Sequence, residues 1–274
     1  DHRDLHLSIR RQRQMCIRDR IWAHDSLHVD SHLEAQVDLA SASNIAKFPE
    51  DLQARIESLN VEAETSDLIR FLSEDLIGYQ NRSCAEEFLE IVETTIRSSQ
   101  SISWEKGNDE LVETVARGIH KLTAYKDEYE VARLFLAPEV KMEMLQVEGS
   151  TGQGMWHLHP PFLRALGMKK KLRIPYKVAS PLMRILSKGK ILRGTPFDVF
   201  GYAEVRKVER QIRDLYRTAV VDALGTLTQD NYGDVLALAA LAMDVRGYED
   251  IKLRSAENFL KSLSSFPNVS LNKA

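Results

Sequence analysis

A pair of histidines two residues apart is the first feature of this sequence that could carry chemistry. His157 and His159 lie in the segment Trp156-His157-Leu158-His159, whose alternation of residue types favours a short β-strand. Both imidazoles would then point to one face, where they could ligate a metal. No Cys, His or carboxylate stands at a spacing that would complete a recognisable metal site. We therefore favour histidines that hydrogen bond near a surface or domain contact, with metal ligation as the alternative.

A basic segment, residues 164–193, could bind an acidic partner because it contains no acidic residue. The candidate docking residues are Arg164, Lys169, Lys170, Lys171, Arg173, Lys177, Lys188 and Lys190. Such a run attracts phosphate groups or acidic proteins, and the three consecutive lysines cannot all be buried, since an unpaired buried ammonium is too costly. A solvated face that balances acidic helices is the competing interpretation. A nucleic-acid interface is disfavoured because aromatic residues for base stacking are few here.

The motifs of most cofactor enzymes are absent from this chain. The sequence contains no glycine-rich phosphate loop, no HExxH, no Gly-x-Ser-x-Gly turn, and no Asp-Gly pair followed by the Asn of a thiamine diphosphate site. Its two cysteines, Cys16 and Cys84, are too few to hold an iron–sulfur cluster. We predict no cofactor and no catalytic residue in this chain. With so few cysteines and no apolar run near the roughly 18 residues of a membrane span, we expect a reduced, cytoplasmic protein.

The first twenty residues differ from the rest. Residues 1–20, DHRDLHLSIRRQRQMCIRDR, are rich in arginine and lack an apolar stripe that continues into the chain. The string resembles translated sequencing-adaptor sequence, and we predict a non-native, disordered segment. If so, the natural chain extends further at this end.

The remaining elements are predicted to be mainly α-helical, with a short β element near residues 155–159. Apolar residues recur at helical spacing after Pro49 and over the segments Ser66–Tyr79, Cys84–Ser98, Leu111–Tyr125, Lys126–Leu136, Asp198–Leu224, Asp230–Met243 and Glu249–Ser262. The acids that follow Lys126 are typical of a helix start. In the helix after Asp198, the spacing predicts an ion pair between Glu209 and Arg213.

A structural hub is predicted at residues 193–201. Its members are Arg193, Gly194, Pro196, Phe197, Asp198, Phe200 and Gly201. The glycines supply backbone freedom and the proline fixes a turn. We predict that Asp198 caps the following helix and that Phe197 and Phe200 are buried anchors.

Several of these segments resemble the C-terminal domain of indolepyruvate ferredoxin oxidoreductase family proteins. Residues 122–134, LTAYKDEYEVARL, are similar to that family's AYKDEYEVARL signature, and residues 192–202, LRGTPFDVFGY, to its LRGTPFDxFGY segment. Further similarity lies at the GYQ of residues 78–80, the HLHPP of residues 157–161, and the VRGY and IK of residues 245–252. The similarity runs in order from about Leu68 to Leu263.

The resemblance implies that residues 61–274 form this helical C-terminal domain and residues 21–60 form the exit from an upstream γ-type oxidoreductase module. The implied parent is a 2-oxoacid:ferredoxin oxidoreductase with thiamine diphosphate, an iron–sulfur cluster and coenzyme A as acyl acceptor. No catalytic residue of that reaction carries over, so we expect the chain alone to be inactive. The implied partners are the rest of the parent and ferredoxin. The alternative is a free-standing helical adaptor.

Overall fold

Most of the described residues between Phe48 and Phe266 lie in α-helices. A computed structural model describes residues 48–102, 109–137, 155–158, 172–247 and 249–266, with the backbone alone at 155–158, 172–178, 249 and 250. The prediction for residues 1–20 lies outside the described residues.

The helices, in chain order, are α1 Glu50–Glu57, α2 Ala63–Tyr79, α3 Arg82–Ser101, α4 Glu110–Thr123, α5 Glu128–Phe135, α6 Tyr176–Lys188, α7 Glu204–Gly225, α8 Tyr232–Ala240 and α9 Glu249–Ser264. Single 3₁₀ turns extend α6 over Gly189–Leu192 and α8 over Leu241–Asp244. Two short strands, β1 Met155–Leu158 and β2 Leu172–Pro175, pair antiparallel with Met155 opposite Pro175. The predicted mainly α-helical fold is confirmed, and β1 lies where the β element was expected.

Local sequence explains several helix starts. Pro49 precedes α1, whose first turn carries Glu50 and Asp51 at the positive end of the helix dipole. The side chain of Asn81 caps α3 by accepting a hydrogen bond from the Cys84 N–H at 3.0 Å.

The chain divides into two compact units. Of the described residues, those within Phe48–Tyr125 and Gly201–Ala274 form the larger unit, and those within Lys126–Phe200 form the smaller unit. Helix α1 belongs to the larger unit and buries Leu52 and Ile56. The prediction that the helical C-terminal domain spans residues 61–274 stays a prediction.

The phenol of Tyr216 lies in the core of the larger unit. This α7 side chain is fully buried, and its hydroxyl donates a hydrogen bond to the Ala239 carbonyl at 2.6 Å. Gly118 of α4 permits this packing, because a Cβ there would lie 2.1 Å from the Tyr216 hydroxyl oxygen. Burial also raises the pKa of Tyr216.

The smaller unit packs α5 against α6. Its apolar core is formed by Ala132, Leu134, Phe135, Ala179 and Met183. Helix α6 is not among the predicted helices, and its sequence contains Pro181. The helix nevertheless continues through Pro181. The contacts of Ala179 and Met183, one turn apart, offset the backbone hydrogen bond that a proline removes.

The predicted helix from Asp198 begins six residues later, at Glu204. Its N-cap is Ala203, with no side-chain capping bond, so the prediction that Asp198 caps α7 is wrong. Residues 193–203 instead form turns.

Candidate functional site

The Asp127–Arg193 ion pair is the central interaction of the smaller unit. Asp127 caps α5 by accepting a hydrogen bond from the Glu130 N–H at 2.8 Å. The same carboxylate accepts two hydrogen bonds from the Arg193 guanidinium, from Nε at 2.6 Å and from Nη2 at 2.9 Å. Both side chains are less than a tenth exposed. The pair therefore has the two-pronged geometry of the strong Arg–carboxylate interactions and fixes the start of α5 to the segment after α6.

A second two-pronged pair lies one turn along α5. Arg133 donates from Nε to Glu130 at 2.8 Å and from Nη2 at 2.9 Å, and the Glu130 side chain is fully buried. Half-buried Lys190 lies nearby. Burial lowers the pKa of the Lys190 ammonium, and the positive charges of Arg133 and Arg193 lower it further.

Asp198 organises the turn that follows Arg193. Its carboxylate accepts hydrogen bonds from the Gly194 N–H at 3.0 Å and from the Tyr129 hydroxyl at 3.3 Å. Burial, followed by the charge of Asp198, raises the pKa of Tyr129 to about 12. Gly194 has a φ of 78°, in the left-handed region that favours glycine.

The ring of Tyr129 forms the apolar side of this site. Phe200 contacts it edge-on at 5.1 Å between centroids, and the Arg193 guanidinium lies 5.7 Å from its centre. Gly189 lies so close that a Cβ would be 2.8 Å from the ring.

Together these side chains form a charge cluster that holds backbone in place. Its members are Asp127, Glu130, Arg133, Lys190, Arg193 and Asp198. The three carboxylates are buried and each accepts hydrogen bonds, and they are balanced by an equal number of cations. Such balance suits a structural connection between α5 and residues 189–200. The sequence had attributed the acids of this segment to the helix dipole alone.

Several residues of the predicted hub make contacts within this segment. Arg193, Gly194 and Asp198 make the contacts that fix it. The prediction that Phe197 is a buried anchor is wrong, since this residue is 74% exposed, and Phe200 is only half-buried. Pro196 is exposed, whereas Gly201 is buried and its carbonyl accepts a hydrogen bond from Arg210 at 2.7 Å.

An exposed apolar surface lies beside the charge cluster in sequence. It consists of Leu182, Ile185, Ile191, Leu192, Phe197 and Val199. Most of the large apolar side chains exposed in the described part of the chain fall within this stretch. Of these residues, Leu182 and Ile185 lie three positions apart in α6 and so share one face of that helix.

The structure describes only part of the basic segment. Arg164 and Lys169–Lys171 lie outside the described residues, as do the side chains of Arg173 and Lys177. Lys188 is exposed on α6 with Arg184, whereas Lys190 and Arg193 face the charge cluster. The basic segment is thus divided between an exposed part and a part with internal contacts.

The histidine pair cannot be assessed, because His159 and the side chain of His157 are outside the described residues. Across the side chains that are described, no group of three metal-ligating residues occurs. In the larger unit, buried His120 lies 2.8 Å from Asp75, between Nε2 and Oδ2.

The predicted Glu209–Arg213 pair in the larger unit is wrong. Glu209 interacts instead with Arg206 at 2.6 Å and with Lys252 at 3.5 Å, whereas Arg213 pairs with its neighbour Asp214. Helical spacing identified the acid but could not show that α9 supplies a competing cation.

These features define a mainly helical protein with a buried charge cluster and an exposed apolar surface. The profile of a family described as one of unknown function (DUF6537) matches residues 65–265, and the chain belongs to that family. No curated protein and no solved structure matches the chain. In the described parts of the chain, no helix combines the length and the apolar character needed to cross a membrane.

Proposed function

We propose that this chain is the C-terminal assembly and docking domain of a thiamine-diphosphate-dependent 2-oxoacid:ferredoxin oxidoreductase of the indolepyruvate type. The observation that carries the proposal is the exposed apolar surface, Leu182 to Val199, which neighbours the buried charge cluster in sequence. In this proposal the parent acts in the cytoplasm. Thiamine diphosphate and the iron–sulfur cluster belong to its other modules, and coenzyme A is its acyl acceptor.

The two segments with the strongest resemblance to that family supply the charge cluster. Asp127, Glu130 and Arg133 come from the AYKDEYEVARL segment, and Arg193 and Asp198 come from LRGTPFDVFGY. The chemistry of these residues is that of mutual ion pairing. This supports a role in presenting a surface rather than in transforming a substrate.

The exposed apolar surface fits the catalytic modules of the parent as its partner. Permanent contacts between modules are more apolar than transient ones, and side chains such as Phe197 and Ile185 supply anchors of that kind. Helix α6 places Arg184 and Lys188 beside these side chains, which favours an acidic rim on the partner.

The proposal is tested by measuring association of this chain with the separately purified catalytic modules of the parent. Replacing Ile185 and Phe197 by Ser should weaken binding by about tenfold or more, because each truncation removes an apolar anchor. A matched control is Val221→Ser, which alters an apolar side chain of α7 that is 43% exposed. Unchanged affinity of the double variant, or equal weakening in the control, would contradict the proposal.

A free-standing adaptor is distinguished by the reading frame upstream of this sequence. Codons for thiamine diphosphate and γ-type modules in the same frame support the domain of an oxidoreductase. A native start codon near His32 would favour the adaptor.

Ferredoxin is a second proposed partner, favoured by the exposed basic side chains of α6. Replacing Lys169, Lys170 and Lys171 by Glu in the parent should raise the ferredoxin KM and flatten its salt dependence, while dye-linked activity persists. Unchanged ferredoxin kinetics would leave the basic segment as a solvated face.

A further inference from the structure

Two cationic side chains of the larger unit donate hydrogen bonds to one backbone carbonyl, and a third cationic side chain lies nearby. The Met243 carbonyl accepts hydrogen bonds from Lys121 Nζ at 2.6 Å and from Arg246 Nε at 3.1 Å. Lys252 of α9 is close enough to repel the Lys121 ammonium electrostatically. We call Lys121, Arg246 and Lys252 the cationic corner.

The charges around the cationic corner do not balance. Arg206 adds a fourth cation through its pair with Glu209, which also contacts Lys252 at 3.5 Å. Among the described side chains, Asp244 is the other acid that acts on this group. Neither Lys121 nor Arg246 forms a salt bridge with a described carboxylate. Among the described side chains, which do not include those of Glu249 and Asp250, four cations and two acids leave an excess of two positive charges at this place.

The pKa of the Lys121 ammonium is affected both by burial and by the neighbouring positive charges. Burial lowers the pKa of its ammonium to about 8, and the charges of Lys252 and Arg246 contribute to the decrease. A bound anion would relieve both effects, because it would replace lost solvation and offset the repulsion.

The backbone that carries Arg246 is fixed in advance. The Arg246 N–H donates to Ser255 Oγ at 2.9 Å, and that hydroxyl donates to the Asp244 carbonyl at 2.9 Å. Gly247 has a φ of 92°, and a Cβ there would lie 2.4 Å from Ile251 Cγ2. The backbone that carries Arg246 is therefore held in place without a bound ligand.

We infer that Lys121, Arg246 and Lys252 form a binding site for a phosphoryl group. A phosphate monoester carries close to two negative charges, which matches the excess at the cationic corner, whereas a carboxylate carries one. Arg246 is exposed, and its two Nη groups form the planar edge that binds two phosphate oxygens at once. The two ammonium groups can bind the remaining oxygens as point charges. This inference does not rest on the proposed docking function.

The test is a calorimetric titration of the full chain with inorganic phosphate, acetate and chloride at matched ionic strength. Phosphate should bind saturably at millimolar concentration and more tightly than acetate. Arg246→Gln and Lys121→Gln should each weaken phosphate binding by about tenfold or more, whereas Lys207→Gln, on an exposed lysine of α7, should not. No saturable binding, acetate binding as tight as phosphate, or equal loss in Lys207→Gln would overturn the inference.

A second measurement keeps the inference testable if Lys121→Gln fails to fold. Titration of the Lys121 ε-methylene signal by NMR should give a pKa near 8 without phosphate and a higher value with it. Arg246→Gln changes an exposed side chain, so it should fold and should abolish this rise. A Lys121 pKa that phosphate does not change would contradict binding at this site.

Discussion

The carboxylates of the charge cluster are stable in the protein interior only because donors surround them. Asp127 accepts hydrogen bonds from a backbone N–H and from both prongs of Arg193, so little of its hydrogen-bonding capacity is lost on burial. The pair need not add much net stability compared with apolar residues of the same size. Removing only one of the two residues destabilises the fold, because the remaining charge would be buried without its partner.

Replacing Arg193 by Ala should therefore lower the free energy of unfolding by about 3–5 kcal/mol. Arg193→Lys should cost less but still be measurable, since an ammonium cannot make two parallel hydrogen bonds to Asp127. Urea denaturation of the purified chain measures both. If Arg193→Ala and Arg193→Lys lower the free energy of unfolding by equally small amounts, the ion pair contributes little to the stability of the smaller unit.

The Lys121 ammonium predicts a rise in stability with pH. Its folded-state pKa of about 8 lies below the 10.5 of a solvated lysine, so between these values the unfolded chain binds more protons. The contribution of this group is unfavourable below pH 8 and disappears as the pH rises to about 10.5. In Lys121→Met, denaturation midpoints should show a smaller increase over this window than in the native chain. Parallel pH profiles would show that Lys121 is ordinarily solvated.

At the scale of single residues, the sequence identified several residues that make structural contacts but did not predict which contacts they make. The helix start after Lys126 was identified, and Asp127 is its cap. The partner of Asp127 is Arg193, and no local spacing relates residues so far apart in the chain. Phe197 was predicted to be a buried anchor, but it is exposed. Exposure depends on what packs over the turn, which sequence periodicity does not report.

At the scale of elements, α6 has one face in the core and one in solvent. Ala179 and Met183 contact α5, whereas Leu182 and Ile185 are 49% and 72% exposed. Apolar residues therefore lie on both faces of α6, one of which is covered by its own unit while the other is exposed.

Met183→Ala should lower the free energy of unfolding by about 2–5 kcal/mol, because it leaves a cavity against α5. Ile185→Ser should change it by less than about 0.5 kcal/mol, since the side chain is exposed. Thermal denaturation of both variants compares the two faces of α6 directly. A large destabilisation by Ile185→Ser would mean that this residue is buried against its own chain.

The turn at Gly194 provides a separate test of backbone conformation. Gly194→Ala should cost about 1–2 kcal/mol because φ is positive there, although no atom lies within 4 Å of the new Cβ. Gly225→Ala, at the end of α7, meets equally open space without a positive φ and should not destabilise the chain. Equal effects of the two changes on the denaturation midpoint would contradict this.

Sequence periodicity located the helices of the larger unit to within a few residues, since their apolar faces repeat regularly. It failed at α6 and at the start of α7. Pro181 is tolerated inside α6 through contacts with a different helix, and Asp198 bonds to Gly194 and Tyr129 instead of capping α7. Both outcomes depend on tertiary contacts, which are not encoded in any one segment.

At the scale of the whole molecule, the larger unit is built from two separated parts of the chain. Residues 48–125 and 201–274 share a core in which Tyr216 of α7 packs over Gly118 of α4. The side chains of Tyr125 and Arg206 also meet, with 5.8 Å between the guanidinium and the ring centre. The two parts thus approach each other where the chain leaves and re-enters the unit.

Replacing residues 126–200 by a short Gly-Ser linker should leave the larger unit folded. Its buried apolar side chains come from the retained residues, and closing a short loop there costs little entropy. We expect a cooperative thermal transition and a helical circular dichroism spectrum from the shortened chain. A chain without a cooperative transition would show that this unit cannot fold without the smaller one.

The Asp127–Arg193 pair also constrains how this family can diverge. A substitution at one position leaves a buried charge whose cost falls mainly on folding, so a change there should persist only when the other position changes with it. In an alignment of homologues, positions 127 and 193 should therefore covary. The Asp–Arg pair should be replaced by two apolar residues of similar volume more often than by a change at one position alone. In an alignment of the family, residues 127 and 193 would then change together rather than independently.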